Sequence, residues 1–146
     1  MNGKVVVISL LLFTVIFSIL LYYFQVFAFY KRVDNISSLR INDRNIDIQD
    51  YRGIDSISSG LKLRGCFLAD PTDFEGLPRL KKATPLSAPF WFDCFDHEEL
   101  QLAINEGRLH TFMAEENEKD GIDRIAAIFP DGRGFQWRQL NSKFMD

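Results

Sequence analysis

The chain has 146 residues, 47% of them hydrophobic, with 17 Lys and Arg against 20 Asp and Glu for a net charge of −3. Charges of both signs are interspersed, so no general basic face is available for nucleic acid or anionic lipid, and no nucleic-acid partner is expected. Beyond an apolar amino-terminal run about 115 residues remain, enough for one compact domain and too few for two.

From Val5 to Tyr30 no charged side chain occurs in 26 positions. At about 1.5 Å per helical residue the run reaches about 39 Å, beyond a hydrocarbon core of about 30 Å. It is apolar all round and not on one stripe, so lipid or other membrane helices are its expected surroundings. The sequence therefore predicts an anchor over 1–32, with a transmembrane helix over about residues 5–29 and bilayer contact through 5–30. Tyr22, Tyr23, Phe24, Phe27, Phe29 and Tyr30 crowd its carboxyl side, where amphipathic rings settle at headgroup level, and Lys31 and Arg32 follow. A cleaved secretory signal is the rival reading, because Val26 and Ala28 resemble a small-residue cleavage pattern. The apolar run is about twice the usual signal length, and bulky rings occupy the cleavage region.

Orientation is read two ways. Lys31, Arg32, Arg40 and Arg44 after the span outnumber Lys4 before it, which by the positive-inside rule keeps the domain in the cytoplasm. A single amino-terminal anchor carrying one folded tail is more simply a signal anchor with the tail outside. The expected arrangement is single-pass, with the folded domain outside the cytoplasm.

Residues 33–38 read as a polar linker and 39–146 as a small α+β domain. Leu39 and Ile41, then Ile46 and Ile48, flank Asn42-Asp43-Arg44-Asn45 and predict a hairpin. A strand is expected from Leu61 to Leu68. Its alternation sets Leu61, Leu63, Gly65 and Phe67 on one face and Lys62, Arg64 and Cys66 on the other, which puts Cys66 near an edge or under a covering loop. Pro71 to Pro89 has no period, holds four of the five prolines, and carries the compact basic patch Arg79, Lys81, Lys82. It reads as a solvated connection or, functionally, as a docking loop for an acidic partner or lipid headgroups. Asp96 and Glu99 make a D-x-x-E start, Leu100, Ala103 and Ile104 an apolar stripe, and Gly107 a left-handed stop, predicting a short helix from Asp96 to Glu106. Strands follow at Arg108 to Glu115, Ile122 to Phe129 and Gly134 to Leu140, the last entered through the turn Pro130 to Arg133. The fold class is α+β, one transmembrane helix and then a small antiparallel sheet with one short covering helix.

The chemistry-bearing residues are few. Asp93 to Glu99 brings together a thiol, an imidazole and four carboxylates, but lacks C-x-x-C or H-x-x-x-H zinc spacing. Helix capping and dipole compensation account for Asp96, Glu98 and Glu99, and a Cys94–His97 nucleophilic pair has no identified orienting acid or oxyanion donors. No Gly-rich phosphate loop or G-x-S-x-G elbow occurs, and no catalytic residue, metal site or cofactor is expected. Cys66 and Cys94 read equally as a disulfide or as two buried thiols; a bridge would put the domain outside the cytoplasm. Phe90, Trp91, Phe92 and Phe95 read as core under the sheet or as an exposed aromatic platform for a partner.

The stretches APFWFDCFD (Ala88 to Asp96) and GIDRIAAIFPDGRGFQWRQLN (Gly121 to Asn141), with Cys66-Phe67 and the amino-terminal span, resemble an uncharacterised family of small single-span membrane proteins from alphaproteobacteria. The likeness covers nearly the whole chain and brings no activity with it. Members of that family often continue with an Arg-Cys-Gly type tail, where this chain reads Asn141 to Asp146. The expected function is a membrane-anchored binding or accessory protein, an assembly factor or subunit whose partner is an integral-membrane or periplasmic protein. Its partner-binding candidates are Arg79, Lys81, Lys82, Phe90, Trp91 and Phe92. The alternatives are a thiol-redox or other enzyme using Cys94 and a ligand-sensing module.

Overall fold

The computed structural model describes residues 2–56 and 58–144. The chain divides into two units, residues 1–30 and 31–146.

The first unit is the helix α1 (Gly3–Tyr23), continued by a π turn (Phe24–Ala28). Asn2 caps it by accepting a hydrogen bond from the Lys4 amide at 3.1 Å. Over Gly3–Ala28 the most apolar window has a mean hydropathy of 2.8, and none of it is buried within the protein. Two of its hydroxyls bond back to the preceding turn: Thr14 donates to the Leu10 carbonyl at 2.9 Å and Ser18 to that of Thr14 at 2.7 Å. Such back-bonding lets a hydroxyl sit on an apolar helix with its donor satisfied. The helix is long and apolar enough to cross a membrane.

The second unit is built on a six-stranded sheet. In chain order its strands are β1 (Tyr30–Asp34), β4 (Gln49–Ser56), β5 (Arg64–Leu68), β6 (His110–Lys119), β7 (Ile122–Ile128) and β8 (Arg133–Leu140), arranged in space as β1-β4-β5-β8-β7-β6. The pairs β4/β5, β5/β8, β7/β8 and β6/β7 are antiparallel. A separate hairpin joins β2 (Ser38–Ile41) to β3 (Arg44–Asp47). Helix α2 (His97–Asn105) is capped by Asp96, whose carboxylate accepts from the Glu98 and Glu99 amides at 3.1 and 3.3 Å, and Gly107 at φ 74° ends it.

The two sheet faces bury different cores. On one, Phe67, Tyr51, Phe112, Ala126 and Ile128 cluster with Leu39, Ile41 and Ile46 of the hairpin and with Phe74. On the other, Phe95 meets Phe135 and Trp137 edge-on at 6.1 and 6.0 Å. Trp137 and Ile125 are fully buried, and removing one such side chain from water stabilises the fold by roughly 1.5–3 kcal/mol.

Four details differ from the sequence expectation. β4 lies in a stretch where no strand was anticipated. β5 begins at Arg64, three residues later than Leu61, because the buried Arg64 guanidinium donates to the Leu61 and Leu63 carbonyls, both at 2.6 Å, and takes them out of the ladder. Arg44 and Asn45 belong to β3, so the hairpin turn is only Asn42-Asp43, with Asn42 in the left-handed region at φ 58°. Val33 and Asp34, read as linker, lie in β1.

Candidate functional site

The Pro71 to Pro89 segment is moored to the sheet along its length. Asp70 caps a 3-10 turn (Pro71–Phe74) that drops Phe74 into the core. The Leu80 amide donates to the Thr111 carbonyl at 2.9 Å, and the Thr111 hydroxyl donates back to the Leu80 carbonyl at 3.0 Å. Gln139 accepts from the Thr84 amide at 2.8 Å and donates to the Lys82 carbonyl at 3.1 Å. Arg64 donates to the Leu86 and Ser87 carbonyls, at 3.1 Å in each case. A buried arginine thus meets its hydrogen-bonding demand on carbonyl oxygens of the loop it holds.

Past this mooring, Phe92 donates its amide to the Pro89 carbonyl at 2.9 Å in a tight turn, and a disulfide joins Cys94 to Cys66 on β5. The bridge fastens the aromatic run beside a cleft of about 590 Å³ between β1, β4 and the Trp91–Asp93 segment. Arg32 of β1 lies over the Trp91 ring at 5.1 Å. Across the opening Arg52 approaches Asp93 at 3.7 Å, with their side chains 62% and 84% exposed. Tyr51 and Phe92 supply the buried wall.

The backbone around this cleft is irregular. The β4/β5 register shifts between Gln49 and Arg52, and Asp50 in that bulge has φ 53°. Asn35, also lining the cleft, has φ 60°. Bulges re-aim side chains, and left-handed non-glycine residues persist only where their surroundings hold them. The arrangement offers cationic, anionic and aromatic surface together, suited to recognising a polar chain segment.

The residues singled out in the sequence do not form one site. Trp91 and Phe92 line the cleft; Phe90 is 70% exposed and does not line it. Arg79 lines a different, apolar pocket beside Phe112, Lys82 borders a depression next to Gln139, and Lys81 is exposed on the loop. Arg32, Asp34, Asp50, Arg52 and Asp93 complete the cleft without any motif linking them, since β1, β4 and the loop meet only through the sheet order and the disulfide.

A polar network crosses the face of the sheet that carries Tyr51. Gln136 donates to the Tyr51 hydroxyl at 2.6 Å and accepts from Arg124 at 3.1 Å. Arg124 also reaches Glu118 at 3.0 Å and the Arg40 carbonyl at 2.7 Å, tying the hairpin to the sheet. Glu118 in turn accepts from Arg138 at 2.8 Å, and Arg138 reaches Asp55 at 3.2 Å. Burial pushes the Tyr51 phenol above its ordinary range, and the hydrogen bond from Gln136 opposes that only in part. Burial also disfavours ionised Glu118, but hydrogen bonds and charge from Arg138 and Arg124 outweigh it and hold the carboxyl below its ordinary range.

Residues 35–145 match the model of a family of unknown function (DUF6446). The chain belongs to that family. No curated protein and no solved structure matches it.

Proposed function

We propose that this protein is a single-pass, membrane-anchored accessory protein of the bacterial inner membrane. Its folded domain lies on the periplasmic side and holds a segment of a larger membrane complex, as an assembly factor or subunit. The alphaproteobacterial setting suggested by the resemblance belongs to this proposal. The observation that carries it is the cleft in which a disulfide-fastened Trp91–Asp93 segment faces bulged β4. The domain follows the apolar helix almost directly, with β1 starting two residues after Ala28, and the disulfide supports an oxidising compartment.

The test is co-purification of the tagged full-length protein from native membranes in mild detergent, with retained proteins identified and quantified by mass spectrometry. A partner at near-equal amount, lost on Trp91→Ala with Arg52→Glu, is the expected result. A protein recovered alone, or a partner retained equally by the double variant, would count against the cleft.

A second reading, thiol-disulfide chemistry at Cys94, is supported by one observation. The Cys66–Cys94 bridge borders an open pocket of about 410 Å³ that Arg52 and Arg133 also line, and nearby cations stabilise a thiolate. A Cys94→Ser variant that folds and complements a deletion strain eliminates that reading.

A further inference from the structure

A second cavity, of about 380 Å³ and distinct from the cleft, opens between the Pro71–Leu77 segment, the start of β6 and the end of β7. Its floor is the buried aromatic and aliphatic set Phe74, Phe112, Ile128 and Phe129. The Phe74 and Phe112 rings lie 5.5 Å apart and tilted, so two neighbouring rings form part of the floor. The volume falls in the range of small-ligand pockets, which combine apolar walls with a few convergent polar groups.

Those polar groups are on the rim: Arg79, His110 and Glu75. Arg79 is positioned by its backbone, bridged to Phe112 and followed by the double clasp between Leu80 and Thr111. Among the described residues no carboxylate lies within 4.0 Å of its guanidinium, whereas Arg108, Arg124, Arg133 and Arg138 each have one. Burial, and then the charge of Arg79, lower the His110 pKa and so favour the neutral imidazole. The Glu75 carboxylate on the same rim disfavours multiply charged anions.

We propose that this pocket binds a small organic monoanion with a flat apolar body, the body on the phenylalanine floor and the charge on Arg79. The site is independent of the partner cleft and stands or falls separately from it.

The experiment titrates phenylacetate into the full chain in lipid nanodiscs by calorimetry, against empty nanodiscs. Neutral phenylacetamide and cationic phenethylamine have similar bodies and serve as comparisons. Saturable phenylacetate binding is expected, with the amide weaker by about tenfold, since hydrogen bonds to a charged group are the strong ones, and the amine not bound. Arg79→Gln should bring phenylacetate down to the level of the amide, and Glu75→Gln should tighten it. Equal binding of all three compounds, an unchanged titration of Arg79→Gln or weakened binding by Glu75→Gln would overturn the proposal, as would the lack of saturable phenylacetate binding.

Discussion

Tyr51 shows how one side chain organises a sheet face. Its ring lies over two glycines on neighbouring strands: a Cβ at Gly53 would sit 2.6 Å from the ring, and one at Gly65 would sit 2.6 Å from its hydroxyl oxygen. Both positions need glycine for close approach, because any side chain there would displace the ring from Gln136. Gly65→Ala should therefore destabilise the domain by about 1–3 kcal/mol, read as a lower thermal midpoint of the full-length protein. Glu118 contributes in a pH-dependent way. Its carboxyl is held below its ordinary value of 4.5 in the folded state, so the stability from its ionised form is complete above that value. This contribution is lost as pH falls through the lower, folded value. Glu118→Gln should flatten the acid limb of a stability-against-pH curve while lowering stability at neutral pH, and an unchanged acid limb would remove Glu118 from the account.

Among the elements, the Pro71 to Cys94 connection depends most on its attachments. It has a single 3-10 turn of its own and is held by Arg64, Gln139, Thr111 and the bridge to Cys66. The bridge closes a separation of 28 residues, which in the chain-entropy model constrains the unfolded state by roughly 3–4 kcal/mol. A Cys66→Ala and Cys94→Ala double variant should lose stability on that order, measured by denaturant unfolding. Under reducing conditions the Trp91–Asp93 wall of the cleft is released from β5, so partner capture should fall on adding dithiothreitol to wild type. In the double variant the same addition should change nothing. Helix α2 buries Leu100 and Ala103 against the domain, but its limits are set locally. Asp96→Ala should cost about 1 kcal/mol, the usual value of an N-cap, and the helix from His97 on was readable because capping, dipole and stop signals are local.

For the whole molecule, the proposed periplasmic placement of the domain makes an expectation about its two cysteines. A membrane-impermeant maleimide applied to spheroplasts should label Cys66 and Cys94 only after reduction if the bridge forms in the periplasm. Labelling that requires lysis would move the domain to the cytoplasm and overturn that part of the proposal. The amino-acid order by itself determined the apolar helix, the β2–β3 hairpin, α2 and the β6–β7–β8 meander. Their signals are composition, alternation and caps within a dozen residues. β4 was not legible, because Gln49 to Ser56 holds only two large apolar side chains, Tyr51 and Ile54, at a spacing of three, and a bulge between Gln49 and Arg52 breaks the alternation. The cleft and the Arg79 pocket were decided only by the tertiary structure. Each joins side chains from segments distant in the chain, and their meeting is set by strand order, by a disulfide and by buried hydrogen bonds.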